Sequence, residues 1–250
     1  MIEEMSESAF EIYAPSAPNR WVITCDHAQN TVPDFVAGGD LGIGAQDMAR
    51  HIAYDIGAAG VSRALALRLG GTAVLSSFSR LVIDPNRGED DPTLIMRLYD
   101  GTIIPANKTM TPDERRARLD RLYLPYHAAQ SRVLGGVTAP VIVSIHSFTP
   151  QLRGRAPRPW QIGILSAQDR RLADPLVKRL RAETDLCVGD NEPYNGALAG
   201  DSMDRHALQH GRPHVLIELR NDLISSQRQQ IAWADRLAPI LEETLLASGL

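Results

Sequence analysis

Short apolar runs alternate along this chain with segments whose apolar residues have the spacing of a helix. Runs rich in β-branched residues predict strands at residues 21–25, 72–75, 80–84, 141–145, 162–165 and 214–219. Strands that alternate with helices in this way are typical of an α/β fold. We therefore predict a mixed, largely parallel sheet between helices, formed by a single domain over residues 1–250.

Four segments have the apolar spacing of helices that pack one face on such a sheet. They are predicted at residues 47–69, 111–131, 169–183 and 225–246. The second has the clearest start, because Thr111 can cap the free amides, Pro112 fits the first turn and Glu114 completes a capping box. In the last segment, Pro239 predicts a kink or an early end.

Three stretches rich in Gly, Pro, Asn or Asp lack a regular pattern, namely residues 27–44, 85–107 and 189–201. The first two directly follow predicted strands. Loops that leave the carboxyl ends of parallel strands build the binding sites of α/β proteins. We therefore expect the functional residues in these stretches or at the strand ends beside them.

Composition and charge exclude several classes of function. The net charge is −4, from 26 basic and 30 acidic residues mixed along the chain, so no basic surface for nucleic acid is expected. No apolar run approaches the length of a membrane span, and the acidic start Met1–Glu7 lacks the basic region of a signal peptide, which indicates a cytoplasmic protein. The two cysteines, Cys25 and Cys187, have no CxxC spacing and are predicted to be buried thiols.

Histidines follow two of the predicted strands. His27 comes after the strand at 21–25, and His146 after the strand at 141–145. Strand ends of a parallel sheet meet at one edge, so these imidazoles can lie in one cleft and bind zinc, with a third protein ligand and an open position for water. His51 and His127 lie on predicted helices, where a packing role is expected instead.

Glu218 lies within an apolar strand pattern, where an unpartnered carboxylate is costly. It could form a salt bridge with Arg220, which alternation places on the same face of the strand. Beside an activated water, Glu218 could instead take the proton from that water and pass it to a leaving amine. We favour this second interpretation.

A third strand-like run leads into Asn86-Arg87. The planar guanidinium of Arg87 can hold both oxygens of a substrate carboxylate. Arg80, Asp84 and Arg87 together indicate a bound anion and its support. If Arg87 does not bind the carboxylate, then Arg80, Arg220 and His206 are the candidates that remain.

Six short motifs in the same order resemble the N-formylglutamate amidohydrolase family from about Trp21 to the last helix. They are Asp26-His27-Ala28-x-Asn30-x-x-Pro33, Asp55-Ile56-Gly57-Ala58, Ser79-Arg80-Leu81-Val82-Ile83-Asp84-x-Asn86-Arg87, His146-Ser147-Phe148, Asn191-x-Pro193-Tyr194-x-Gly196 and Ile217-Glu218-Leu219-Arg220-Asn221-Asp222-Leu223. The family is similar in architecture to zinc carboxypeptidases and aspartoacylases. The resemblance thus implies a zinc-carboxypeptidase-like sheet with zinc at its strand ends.

The resemblance also implies roles for individual residues. His27 and His146 would be ligands of one zinc ion, Asn86-Arg87 the carboxylate clamp, and Glu218 the general base. The carboxypeptidases place a glutamate ligand three residues after the first histidine, where this chain has Asn30. The remaining ligand is expected to be Asp55, with Asn30 as the alternative.

The resulting hypothesis is metal-dependent hydrolysis of a small N-acyl amino acid, with N-formyl-L-glutamate giving formate and L-glutamate. Arg87 and Arg220 would hold the substrate carboxylates. One alternative is a related zinc amidase or carboxypeptidase that acts on another acylated amino acid or peptide. Another is a metal-free protein that binds an acidic metabolite without turnover.

Overall fold

The apolar runs of the sequence form one seven-stranded sheet. The computed structural model describes residues 8–16, 19–152 and 154–250, so the start Met1–Glu7 lies outside the described residues. The strands are β1 (Phe10–Tyr13), β2 (Trp21–Cys25), β3 (Thr72–Ser76), β6 (Val141–Phe148), β7 (Ile162–Leu165), β8 (Val188–Asp190) and β9 (His214–Arg220), and a separate hairpin consists of β4 (Leu98–Tyr99) and β5 (Thr102–Ile103).

The strand order across the sheet is β1-β3-β2-β6-β9-β7-β8. Strands β3, β2, β6 and β9 run parallel, whereas β1 is antiparallel to β3 and β7 is antiparallel to β9. The mixed, largely parallel sheet is thus confirmed. The chain passes from β2 to β3 on one side of the sheet, and from the neighbouring strand β6 to β7 on the other side. The connections thus diverge between β2 and β6, as at the ligand-binding crevice of open α/β sheets.

Helices cover the two faces of this sheet. They are α1 (Ala45–Met48), α2 (Ala58–Leu69), α3 (Pro105–Lys108), α4 (Pro112–Arg118), α5 (Leu124–Gly135), α6 (Ala173–Leu180), α7 (Ser202–His206) and α8 (Gln227–Ser248), with one π-helical turn at Leu119–Tyr123 and 3₁₀ turns at Ala37–Gly39, Leu208–His210 and Asn221–Leu223. Within the described ranges, no helix combines the length and the apolarity that a membrane crossing requires.

Alternate residues of the central strands pack on opposite helical layers. Ile23 and Cys25 of β2 join the apolar cluster formed with α2 and α8. Val22 faces the other side, where it packs with Leu134 of α5. Both faces of the parallel strands are therefore buried, which explains why these strands read as continuous apolar runs.

The helix that begins at Thr111 is confirmed. The side-chain oxygen of Thr111 accepts a hydrogen bond from the Glu114 amide, and the Glu114 side chain accepts one from the Thr111 amide. The helical path continues through the π turn to Gly135, four residues beyond the predicted end at 131. In the last helix, α8 continues past Pro239 to Ser248, so the proline does not end it.

The predicted strand at residues 80–84 is wrong. This segment is buried, yet it forms turns because its polar backbone groups find partners outside a sheet. The Ser79 hydroxyl accepts from the Leu81 amide, the Asn107 amide donates to the Leu81 carbonyl, and Arg118 donates to the Val82 carbonyl. The segment is apolar because it is buried, although it does not pair with another strand.

The continuous helix predicted over residues 47–69 is also wrong. Helix α1 ends at Met48 and α2 begins at Ala58, and the segment between them is a series of turns. The Asp55 amide donates to the His27 carbonyl, and Gly57 adopts a left-handed conformation with φ of 82°. These two features interrupt the helical path and turn Asp55 towards the sheet edge.

Several short elements have no clear signal in the sequence, namely β1, β8, α7 and the β4–β5 hairpin. The helices predicted at 169–183 and 225–246 are present with shifted ends. Cys25 is buried as predicted, but Cys187 is exposed, because it precedes the edge strand β8.

Gly57 provides a test of this backbone geometry. A Cβ atom at Gly57 would overlap the carbonyl oxygen of Ile224, whereas one at Gly38, which also has positive φ, would meet nothing within 4 Å. Gly38→Ala should therefore cost only about 1–2 kcal/mol, the cost of the left-handed conformation. Gly57→Ala should cost roughly 1–3 kcal/mol more because of the steric overlap. Equal losses in urea-induced unfolding would contradict the close approach to Ile224.

Candidate active site

Two parallel strands place the first chemically capable side chains side by side. His27 lies two residues beyond the end of β2, and His146 lies near the end of the adjacent strand β6. Glu218 of β9 is the register partner of His146. The predicted convergence of these three residues at one sheet edge is therefore present.

These side chains line one cavity of about 150 Å³. It contains seven of the nine residues proposed from the sequence for this site, which are His27, Asp55, Arg80, Asn86, Arg87, His146 and Glu218. The remaining two, His206 and Arg220, are not among its lining residues. Further lining residues include His51, Tyr99, Tyr194 and Asp201.

The Asp55 carboxylate bridges the two imidazoles. Its Oδ2 atom lies 2.9 Å from Nδ1 of His146 and 3.3 Å from Nδ1 of His27. One potential ligand atom from each of these buried residues lies within 4.8 Å of the others. Two imidazoles and a carboxylate arranged in this way can hold a metal ion.

The Nε2 atom of each imidazole contacts a further carboxylate, which is a different residue for each ring. Nε2 of His27 is 2.7 Å from Oδ1 of Asp84, and Nε2 of His146 is 3.2 Å from Oδ2 of Asp26. A carboxylate at Nε2 fixes the orientation of the ring, so that Nδ1 faces Asp55 and can ligate a metal ion when deprotonated. Metal-binding histidines usually have such carboxylate partners.

Asp26 is fully buried and has four hydrogen-bond partners. Besides His146, its Oδ1 atom accepts from the Tyr126 hydroxyl at 2.8 Å, the Ser202 hydroxyl at 2.8 Å and the Gln130 amide at 3.4 Å. Burial alone would raise the pKa of Asp26, but the hydrogen bond and charge of His146 outweigh burial and lower it. Asp26 thus anchors the His146 ring to α5 and α7.

Arg80 is committed to the carboxylates beside it. Its Nη2 atom donates to Oδ2 of Asp84 at 2.8 Å, and its Nη1 atom lies 3.6 Å from Oδ1 of Asp55. The buried guanidinium therefore offsets negative charge within the cluster. Its position on the cavity wall also allows it to face a bound anion.

Glu218 is only 6% exposed, and its Oε2 atom has no hydrogen-bond partner. Burial raises the pKa of Glu218 to about 7, with a smaller opposing effect from the charge of His146. A carboxyl group with a pKa near neutrality can both accept and donate a proton. Glu218 lines the same cavity as His27, Asp55 and His146.

Asn86 and Arg87 occupy the turn after Asp84. The side-chain oxygen of Asn86 accepts from the Ser202 amide, and Arg87 donates to the Asn86 carbonyl at 2.8 Å and to the Thr93 hydroxyl at 3.1 Å. Among the described residues, Arg87 has no carboxylate partner. Its guanidinium is therefore positioned at the cavity and available to an anionic ligand.

Three residues considered from the sequence make other contacts. Nε2 of His206 pairs with Nδ1 of His127 at 2.8 Å, and Arg220 donates to Oδ1 of Asp222 at 2.8 Å. The Asn30 amide donates to the Met48 carbonyl at 2.8 Å. Asp55, and not Asn30, approaches both imidazoles.

The sequence assigned His51 a packing role, yet it lines the cavity. Its Nδ1 atom lies 3.3 Å from Oδ1 of Asp55 but does not form a hydrogen bond with it. Burial lowers the pKa of His51 to about 4, so the ring is neutral at pH 7. The four-residue spacing of His51 and Asp55 could have suggested their proximity.

The role of Asp26 was missed because a carboxylate next to a histidine in sequence carries no specific signal.

Comparisons with known proteins show which proteins this chain is similar to. A family model described as N-formylglutamate amidohydrolase matches residues 19–225. A gene product of Agrobacterium tumefaciens of known structure is 34% identical, with a TM-score of 0.90 and 97% of each chain covered. An N-formylglutamate deformylase of Pseudomonas putida is 26% identical over 194 residues, which are 68% of this chain and 70% of that protein.

An N-formylglutamate amidohydrolase of Ralstonia eutropha has a related structure. It is 22% identical, with a TM-score of 0.66, and the match covers 94% of this chain and 99% of the other. At this identity the likeness concerns the fold alone.

Asp26 provides a test of the cluster geometry. Asp26→Asn retains the size of the side chain but removes the charge that holds the Nε2 proton of His146. Zn²⁺ affinity, measured by competition with a chelating dye, should fall by about 10–100-fold, as for other carboxylates behind metal-binding histidines. Tyr126→Phe, which removes one neutral partner of Asp26, is the matched control and should change affinity far less. Equal effects of the two substitutions would show that Asp26 acts only through packing.

Proposed function

This chain belongs to the N-formylglutamate amidohydrolase family, and we propose that it hydrolyses N-formyl-L-glutamate to formate and L-glutamate. The observation that supports this function is the cavity in which a metal-binding cluster, a buried glutamate and an unpaired arginine meet. Amide hydrolysis requires an activated water, a group that moves protons and a group that fixes the substrate. Each of these tasks has a candidate residue in this cavity.

We propose that His27, Asp55 and His146 hold one Zn²⁺ ion. Two imidazoles and one carboxylate are a common protein ligand set for catalytic zinc, which retains an open position. Oδ1 of Asp55 has no hydrogen-bond partner, which suits a carboxylate that contacts a cation. The bound ion would supply a Lewis acid that polarises the amide carbonyl and makes water nucleophilic at neutral pH.

Glu218 moves the protons in this proposal. Its carboxylate takes a proton from the attacking water and then donates it to the nitrogen of the departing glutamate. This nitrogen must be protonated because an amide anion is a poor leaving group. The pKa of about 7 is suited to both transfers, and the absence of a hydrogen-bond partner leaves Oε2 free for the reactants.

Arg87 fixes the substrate by holding a carboxylate in two-point contact. Asn86 supports this position, because its side chain is held by the Ser202 amide while its carbonyl accepts from Arg87. Arg80 contributes positive charge to the cavity wall but remains bound to Asp84. The contacts of Arg220 and His206 with other residues make them weaker candidates for this task.

Glu218→Gln tests the proton-transfer role. The amide keeps the shape of the side chain but cannot accept the proton, so kcat for N-formylglutamate should fall by about 10²–10⁴-fold. Metal content and thermal stability should remain close to those of wild type. Glu242→Gln, at an exposed position of α8, is the control and should retain full activity. A fully active Glu218→Gln variant would assign Glu218 a structural role only.

Arg87→Ala tests the carboxylate clamp. Truncating one partner of a buried charge pair costs about 2–5 kcal/mol, so kcat/KM for N-formylglutamate should fall by more than an order of magnitude. Arg87→Lys keeps the charge but loses the planar fork, so it should also reduce kcat/KM. Arg97→Ala, at an exposed position of the same loop, should have little effect.

Two amide-capped substrates complete this experiment, one blocked at each carboxylate of N-formylglutamate. The analogue that lacks the carboxylate held by Arg87 should be poor for wild type and nearly insensitive to Arg87→Ala, which isolates the contact in a double cycle. If Arg87→Ala weakens all three substrates equally, the arginine supports the fold or the metal site and does not hold a carboxylate.

A further inference from the structure

A second compartment adjoins the catalytic cavity. It has a volume of about 380 Å³, against about 150 Å³ for the catalytic cavity. Three residues line both spaces, His51, Tyr99 and Tyr194, so the two spaces share a wall. Small-molecule sites typically occupy ~300–1,000 Å³, so the catalytic cavity alone is small for its class and the second compartment is large enough to hold part of a ligand.

The two compartments differ in charge. The catalytic cavity is lined by the cations Arg80 and Arg87 and by the carboxyl groups of Asp55, Asp201 and Glu218. Among the described residues that line the second compartment, the charged ones are Arg50 and Asp100, which form an ion pair with each other. The charges of this described lining are therefore paired.

The other described residues of this lining are apolar or neutral. Ile52, Ile56 and Leu152 supply aliphatic surface, and Thr149, Gln151 and Asn221 supply neutral polar groups. The shared residues Tyr99 and Tyr194 add aromatic rings at the boundary with the catalytic cavity. This lining suits an aliphatic group, whose burial is favourable in proportion to its apolar area.

An N-acyl amino acid has the same division of charge. Its amino-acid end carries the carboxylates, its acyl end is neutral, and the amide bond joins them. With a carboxylate on Arg87 and the amide beside the metal-binding cluster, the neutral end matches the second compartment.

We propose that this compartment binds acyl groups larger than formyl, so that the chain also hydrolyses N-acylglutamates with aliphatic acyl chains. This inference rests on the proposed amidohydrolase function and extends its substrate class.

The reaction is the same hydrolysis with a longer acyl group. Water adds to the amide carbonyl, the C–N bond breaks, and the products are a fatty carboxylate and glutamate. The nitrogen receives its proton from Glu218. No co-reactant other than water is required.

A series of substrates tests the proposal on the zinc-loaded protein. The N-acetyl, N-butanoyl and N-hexanoyl derivatives of L-glutamate have carbonyl groups of similar reactivity. Each methylene buried in the compartment should raise kcat/KM by about fourfold until the space is filled. N-formylglutamate is measured in parallel, because its turnover tests the proposed function independently of the second compartment.

Leu152→Trp tests the location of the acyl chain. Leu152 is half-buried and lines the second compartment but not the catalytic cavity. The larger ring should remove the rise in kcat/KM from acetyl to hexanoyl, so the hexanoyl-to-acetyl ratio should fall at least tenfold. Leu246→Trp, at a position that is 83% exposed, is the matched control and should preserve the ratio.

A binding measurement separates recognition from turnover. In the Glu218→Gln protein loaded with zinc, N-hexanoylglutamate should bind more tightly than N-acetylglutamate, and Leu152→Trp should remove the difference. N-formylnorleucine, whose aliphatic group is on the amino-acid side, should be insensitive to Leu152→Trp.

Three results would overturn the proposal. The first is a wild-type kcat/KM that falls from acetyl to hexanoyl while N-formylglutamate is turned over. The second is a Leu152→Trp effect on N-formylnorleucine but not on N-hexanoylglutamate, which would place the amino-acid side chain in the compartment. The third is equal binding of the acetyl and hexanoyl ligands. Absence of turnover on every substrate, together with tighter hexanoyl binding, would contradict the proposed function but retain the acyl compartment.

Discussion

The arrangement of this site depends on the compensation of buried charge. Three buried carboxylates, Asp26, Asp55 and Asp84, surround the imidazoles of His27 and His146, and one guanidinium, Arg80, lies beside them. Burial alone would raise the pKa of each carboxylate, but the neighbouring positive groups outweigh burial and lower all three. An unpaired buried charge is very costly, so none of these groups can be changed without effects on the others.

The same balance explains why the cluster suits a divalent cation. Once Arg80 is counted against the three carboxylates, two negative charges remain. Hydrogen bonds to Asp26 and Asp55 outweigh burial and raise the pKa of His146, so its imidazolium offsets part of this charge in the metal-free protein. A divalent cation would offset the same charge with His146 neutral, so metal binding should displace a proton from the cluster.

The sequence correctly predicted which residues meet at the edge of the sheet, because neighbouring parallel strands end at the same edge. His27, His146 and Glu218 follow or occupy strong apolar strands, and adjacent parallel strands bring such residues to one edge. Asp55 was proposed only through the family resemblance, because it lies in turns set by Gly57 and by a bond to the His27 carbonyl. Such turns arise from tertiary contacts, and the apolar pattern of a single segment does not predict these contacts.

Other expectations failed for related physical reasons. The run at 80–84 is apolar because it is buried, and side chains from α3 and α4 satisfy its carbonyl groups in place of a neighbouring strand. Arg220 shares a strand face with Glu218, yet Asp222 two residues later binds its guanidinium. The local sequence shows which side chains are capable of chemistry, but the competing partners become visible only in the fold.

If His27, Asp55 and His146 bind a catalytic metal ion, wild-type protein purified without chelators should contain about one zinc per chain by elemental analysis. Asp55→Asn and His146→Ala proteins prepared in parallel should contain markedly less metal. A strong chelator that removes the ion should abolish the amidase activity of the wild type. Wild-type protein that lacks stoichiometric metal and keeps its amidase activity in the chelator would rule out this metal site.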